Sequence, residues 1–517
     1  MVTHLSLSLR RNSLLPLLTV LIAGAGSSLR GEEPLNVIVY FVDDMGWTDV
    51  GCFGSDFYET PNIDRLAAEG VRFTNAYSAC TVCSPSRAAL LTGKYPARLH
   101  VTDFIPGHPF VNTPLLIPEW TQQLNLEEVT VAEQLKTKGY HTAHFGKWHL
   151  TPRDRTDDPN DDGNFPEFYP DRQGFDFNIG GCERGAPASY YWPYGRGKTL
   201  EEKKNNNTFR TIPDHGATED TYLTDQLADE AVRLIGEFDQ DPFFIYFPFY
   251  NVHTPLQGRE DLVEKYRKKL EANPNVTQKN IQYAAMVESV DEAIGRIMAQ
   301  VAKQGVSDRT MVIFSSDNGG LYPQSTTNRP LRQGKGSIYE GGVRVPTIIR
   351  WPGGAKAGAV SEEPVITIDF FSTILDATGA VPPTKLGDAI DGLSLVPLLK
   401  DPSSATLDRD AIFWHYPHYH SMGGVPYSAV RMGDWKLIEQ HGGIAPVELY
   451  HLSEDIHEDH NLAETEPERT AAMLKRLQDW RHSVDAQMPT KNPSYDPGQP
   501  VGISRGGKIR PMAVVRE

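Results

Sequence analysis

Four side chains that offer only oxygen, Asp43, Asp44, Asp317 and Asn318, stand where two apolar runs end, "LNVIVYFVDD" (35–44) and "TMVIFSSDNGG" (310–320). Carboxylate and amide oxygens are what a hard cation such as calcium or magnesium prefers, and adjacent carboxylates repel one another without one. Arg87, Lys147 and Lys335 bring positive charge from distant segments, and Lys335 lies between two glycines, where backbone can approach a ligand closely. A metal with Arg and Lys around a cleft holds a tetrahedral oxyanion and stabilises charge that develops on it. Each residue alone could be an ordinary solvated group. His149 and His253 also fall just past apolar runs, and that shared placement argues for one site.

Cys83 opens the stretch "CSPSRAALLTG" (83–93). Pro85 suits a first helical turn, and Gly93 is placed to stop the helix. A thiol at a helix N-terminus near Arg87 is expected to have a lowered pKa and to be reactive. Cys80 and Cys83 form a C-x-x-C pair, but no second pair exists for zinc, and Cys52 and Cys182 complete an irregular set of four.

The elements that must position these residues alternate. Strand-like runs at 35–44, 140–149, 242–253 and 310–320 are separated by helical patterns. "TPNIDRLAAEG" reads as a helix capped by Asn62 and stopped by Gly70, "TVAEQLKTKG" as one ending at Gly139, and "IQYAAMVESVDEAIGRIMAQVAKQG" as a long amphipathic helix. The expected fold is α/β: a large mixed, mostly parallel sheet flanked by helices, with ligands at the C-terminal ends of its strands. Residues 33–402 form the expected catalytic domain. Residues 403–490 read as a smaller α+β domain with an antiparallel sheet, and 491–517 as a strap or tail. Residues 151–220 read as a long surface excursion.

Residues 1–28 have the order of a secretory signal: Arg10 and Arg11, an apolar run, then small residues. An exported protein, periplasmic or secreted and without a stable membrane anchor, is expected. A net charge of −17 argues against nucleic acid as a partner.

"CSPSRAALLTG" resembles the C-x-P-S-R-x-x-x-L-T-G signature of the formylglycine-dependent sulfatases of the alkaline-phosphatase-like superfamily. The likeness extends over nearly the whole mature chain through "VDDMGWTDVGCFG", "GKWHL", "HTPLQ", "SSDNGG", "GKGSIYEGGVRVP" and "GDWKL". It implies oxidation of Cys83 to formylglycine by a maturation enzyme, with Cys80 left as a thiol. It implies one calcium ion held by Asp43, Asp44, Asp317, Asn318 and an oxygen of the modified Cys83. Arg87 would favour deprotonation of the nucleophile, Lys147 and Lys335 would hold sulfate oxygens, His253 would protonate the leaving alcohol, and His149 would assist release. Thr151 stands where the family often has Gly, so a changed loop is expected there.

The implied activity is sulfate-ester hydrolysis, with a sulfated carbohydrate of galactose or N-acetylgalactosamine type as substrate. Tyr190, Tyr191, Trp192 and the run "FWHYPHYH" (413–420) are candidates for sugar contact, set against ordinary packing. A phosphonate monoester or phosphodiester hydrolase of the same superfamily, and a silent sulfated-glycan-binding protein, are the competing readings.

Overall fold

A computed structural model describes residues 33–152, 165–207, 209–383, 390–442, 447–505 and 508–511. The expected signal segment, 1–28, lies outside these residues. The run "NVIVYFV" forms the strand Asn36–Val42, buried at every position. Such a strand suits the middle of a sheet covered on both faces. It pairs in parallel with Thr310–Ser316 on one side and Phe243–Pro248 on the other. His141–Phe145 and then Phe177–Ile179 continue the parallel array. Beyond Thr310–Ser316, Thr347–Arg350 runs antiparallel and leads to Val71–Phe73 and Ala359–Ser361, completing eight strands.

The two-residue period of the central strand divides the core. Ile38, Tyr40 and Val42 enter a layer with the helices Pro61–Glu69, Leu223–Phe238 and Ile281–Lys303. Val37, Val39 and Phe41 enter a second layer with Cys83–Thr92, Val131–Lys136 and Asp369–Thr378. The mostly parallel sheet with helices on both faces is therefore as expected.

Helix ends follow local chemistry. Asn280 caps Ile281–Lys303 by accepting from the Tyr283 amide at 3.2 Å, and Thr130 forms a capping box with Glu133. Asn62 is not a cap. Pro61 occupies the first helical position, where its fixed φ is favourable, so the boundary moves back to Thr60. Asn62 instead donates from Nδ2 to Asp291 at 2.8 Å.

The smaller sheet is an antiparallel meander of Ile412–Tyr416, Tyr427–Met432, Trp435–Gln440 and Val447–His451. The helix Pro467–Ser483 lays Met473, Leu477 and Trp480 against it, with Trp480 stacked on Phe413 at 4.7 Å. This layer shares apolar packing with Tyr77, Val82 and Ile338, and Pro34–Glu517 form one compact unit. Part of the tail is a strap: Gly502–Arg505 pairs with Phe110–Val111, just as Thr490–Lys491 pairs with Leu115–Leu116.

The excursion at 151–220 is not wholly superficial. It supplies the edge strand Phe177–Ile179, and Tyr190, Tyr194 and Phe209 enter the core. Among the described residues, no helix is long and apolar enough to cross a membrane.

Candidate active site

Parallel strands present their C-terminal ends at one edge. Asp43 and Asp44 follow Asn36–Val42, Asp317 and Asn318 follow Thr310–Ser316, Lys147 and His149 follow His141–Phe145, and His253 lies beyond Phe243–Pro248. Backbone bonds carry the pairing past the strands: Asp43 N to Asn251 O at 3.0 Å, Asp317 N to Val42 O at 3.0 Å, and Lys147 N to Pro248 O at 2.8 Å. Asp44 and His149 hold left-handed backbone, at φ 62° and 57°. Aspartate and histidine are among the non-glycine residues that take this conformation most readily.

Cys83 is the first residue of Cys83–Thr92, and Gly93 ends the helix at φ 70° with its amide on Ala89 O. Cys83 Sγ lies 3.4 Å from His149 Nδ1. Arg87, one turn on and fully buried, donates from Nη2 and Nε to Asp317 Oδ2 at 2.6 and 3.1 Å, and from Nη1 to Lys147 O at 3.0 Å. Lys147 Nζ reaches Asp43 at 2.7 Å, and Lys335 Nζ reaches Asp44 at 2.6 Å. His253 Nε2 is 3.7 Å from Asp44. The structure thus brings together every residue singled out for the site.

A cation fits this donor set. Single ligand atoms from Asp43, Cys83 and Asp317 lie within 4.8 Å of one another, as do those from Asp43, Asp44 and His253. Asp43 Oδ1, Asp44 Oδ2 and Asn318 Oδ1 are buried with no hydrogen-bond partner. Each orphaned oxygen costs roughly 1–3 kcal/mol, and a hard cation satisfies several at once.

Burial raises the Asp43 carboxyl to about 8 despite Lys147. Burial also pushes Asp44 up, but Lys335, His253 and Lys147 together outweigh it and leave Asp44 below the usual carboxylate range. The Cys83 thiol contradicts the expectation of a lowered pKa. Complete burial pushes it above its ordinary value, and Lys147 and Lys335 only partly offset this. As a thiol, Cys83 is therefore not an activated nucleophile. Burial and then Lys147 hold His149 well below the usual imidazole range. His253 is lowered to about 3 by burial and Lys335, against the pull of Asp44.

Three supporting features escape the sequence. The Ile105 carbonyl accepts from His149 Nε2 at 2.6 Å, and no side-chain pattern marks a carbonyl. A Cβ at Gly185 would meet the His149 ring at 2.5 Å, so this glycine is a close approach. Asp49 fixes the loop after Asp44 by accepting from Tyr283 at 2.6 Å, Gly46 N at 2.7 Å and Gln278 at 2.7 Å. It lies within "VDDMGWTD" (42–49), where a third acid was legible but had no evident partner.

The candidate sugar contacts fare unevenly. Tyr190 is fully buried, and its hydroxyl donates to the carbonyls of Tyr250 and His253 at 2.6 and 2.8 Å. Its ring packs on Tyr222, so it is a core residue. Phe413, Trp414, His415, Tyr416, His418 and Tyr419 are likewise buried. Thr151 is buried beside Phe168, its hydroxyl donating to that carbonyl at 3.3 Å.

A parallel α/β sheet with acids, an amide, lysines and histidines gathered at one edge is the architecture of an enzyme working on a bound anion. This chain belongs to the sulfatase family: a family model described as Sulfatase matches residues 35–380. A second, N-sulphoglucosamine sulphohydrolase, C-terminal, matches 333–483. A sulfatase of Formosa agariphila is 34% identical over 505 residues, covering 87% of this chain and 88% of that protein. Human N-acetylgalactosamine-6-sulfatase is 33% identical over 391 residues, covering 73% and 67%. The solved structure of Ps i-CgsB in complex with k-i-k-neocarrahexaose superposes with a TM-score of 0.70 at 28% identity, covering 86% and 92%. The protein is a sulfuric ester hydrolase.

Proposed function

We propose that this enzyme is an exported sulfatase of sulfated carbohydrates, of galactose or N-acetylgalactosamine type, and that Cys83 is converted to formylglycine by a maturation enzyme. The carrying observation is the position of Cys83 Sγ, within 4.8 Å of the Asp43 and Asp317 carboxylate oxygens and beside the bare nitrogen of His149. The relatives that act on N-acetylgalactosamine 6-sulfate by name, or that bind a neocarrahexaose, support the substrate class. Asp43, Asp44, Asp317, Asn318 and residue 83 would hold one calcium ion.

Formylglycine, once hydrated, would supply one hydroxyl as the nucleophile towards sulfur and a second to release the sulfate, and calcium would supply positive charge beside them. The chain's own residues do the rest. Because the Ile105 carbonyl can only accept, His149 carries its proton on Nε2 and turns a bare Nδ1 towards residue 83. That atom is placed to take a proton from residue 83. Arg87 commits its donors to Asp317 and the Lys147 carbonyl, so it fixes both neighbours while adding charge. Lys147 and Lys335 hold sulfate oxygens. His253 bonds Thr254 O through Nδ1 at 2.7 Å, leaving Nε2 facing the site. To give a proton to the leaving alcohol from Nε2, it needs the anionic ester to add to the pull of Asp44.

The test is production with and without a formylglycine-generating enzyme, mass analysis of the Cys83 peptide, and assay against sulfated saccharides and a phosphate diester. Conversion together with sulfated-saccharide turnover is expected. Faster turnover of the diester, or full activity with an unmodified thiol, would reject the proposal. An unmodified thiol in a competent host, with sulfated glycan bound but not hydrolysed, would favour the silent binder.

A further inference from the structure

Between the smaller sheet's first two strands, Ile412–Tyr416 and Tyr427–Met432, a loop carries His420 to the rim of the site. Gly336, the residue after Lys335, has φ 81°, and a Cβ there would fall 1.9 Å from His420 Nδ1. The His420 ring therefore lies directly on the backbone that presents Lys335. It also meets Phe104 and His108, at ring separations of 6.2 and 5.6 Å. Phe104 adjoins Ile105, the residue whose carbonyl orients His149. His420 thus sits between the loops that set Lys335 and His149, and it is as little exposed as His149, at 4% against 5%.

The tautomer of His420 follows from its bonds. The Met422 amide donates to Nδ1 at 3.3 Å, so Nδ1 is the bare nitrogen and Nε2 carries the hydrogen. Burial, His108 and Lys335 keep the ring neutral, with a pKa of about 3 despite Asp44. Among the described residues, no protein group accepts from Nε2. Its neighbours in 413–419 are used in packing. His415, for example, bonds Ser428 Oγ and Gln487 O at 2.8 Å each.

We infer that His420 is a specificity-determining residue, its Nε2–H donating to an oxygen of the sugar alcohol that leaves when sulfate is removed. This rests on the carbohydrate-sulfatase reading and adds which residue of the smaller sheet reads the sugar. A sugar presents hydroxyl and ring oxygens to such a donor, whereas a nitrophenol ring offers none beside the ester.

The matured enzyme and its His420→Phe, His420→Gln and His420→Asn variants would be compared on 4-nitrophenyl sulfate and on sulfated galactose and N-acetylgalactosamine. Phe keeps the flat ring against Gly336 without the donor. Gln places an amide nitrogen near the Nε2 position, and Asn places one near Nδ1. The expected result is a loss in saccharide kcat/KM of about 10–100-fold for Phe and Asn, with Gln within about 5-fold of the parent enzyme. Aryl sulfate turnover should stay within about 3-fold for every variant. Should the Phe variant fail to fold, the Gln and Asn pair decides. A parallel fall on both substrates would assign His420 to positioning Lys335 and overturn the inference, as would unchanged saccharide kinetics. A parent enzyme that cleaves the aryl sulfate and no sulfated sugar would remove the carbohydrate reading itself, and this inference with it.

Discussion

Asn318 Nδ2 donates to Asp44 Oδ1 at 2.8 Å, joining residues 274 positions apart, and leaves Asp44 Oδ2 and Asn318 Oδ1 buried and unbonded. The bond fixes both side chains with an oxygen in hand, ready to ligate. Removing divalent ions with a chelator should lower the thermal midpoint, and calcium should restore it, because a ligand bound only by the folded state stabilises by about 2.7 kcal/mol at 100 times its Kd. Asp44→Asn should abolish the calcium-dependent shift. A midpoint indifferent to chelator and calcium would contradict the metal assignment.

Cys83→Ala should retain the fold, since the polar contact its side chain makes is with His149, at 3.4 Å. Turnover should fall by about 10⁴-fold or more, the scale of removing a covalent nucleophile. Cys80→Ala, at a buried thiol that burial pushes up to about 12, should leave turnover near the parent value. Circular dichroism and kcat, measured side by side, check both.

Arg87→Lys should be costly even though charge is kept. Lysine cannot reproduce the paired bonds to Asp317 and the third to Lys147 O. Buried acceptors left without their hydrogen bonds cost about 1–3 kcal/mol. Urea unfolding of the two proteins reads this directly, and an unchanged midpoint would refute it.

Gly185→Ala should displace His149, because the new methyl would meet the ring at 2.5 Å. A fall in kcat of about 10–100-fold with little change in KM is expected, as for a misplaced catalytic base.

Asp103 offers a pH test away from the candidate metal ligands. Burial raises its carboxyl to about 7, and the bonds from Tyr416 and the Phe104 amide, each 2.8 Å, only partly oppose this. Its folded pKa exceeds the unfolded one, so between about pH 4 and 7 the folded state binds more protons. The contribution is complete below the unfolded value and is lost as pH rises through about 7. Asp103→Asn should therefore gain stability relative to the parent at pH 8 compared with pH 5, by about 2–4 kcal/mol, in denaturant titrations.

Strand ends were legible because an apolar, β-branched run that stops on two acids suits a buried strand emerging at a site and little else, and parallel pairing does the gathering. Asp43, Asp44, Asp317, Asn318, Lys147 and His149 needed no more than that. What stayed hidden depends on packing between distant segments. The Cys83 thiol is raised because neighbouring segments bury it, which a local helix-terminus rule cannot register. Tyr190 stayed open between sugar contact and packing because a tyrosine pair near a polar stretch reads the same whether it is covered or bare. Asn62 lost its capping role to the proline before it, a case where the local signal was present and misjudged.

If Cys83 is oxidised as proposed, its depth, 2% exposed, imposes an order on the life of the polypeptide. An oxidising enzyme would need to reach this side chain, and Asp317, from more than two hundred positions later, comes within 4.8 Å of it in the folded protein. On that proposal maturation would have to run ahead of folding, because the folded chain keeps this thiol covered.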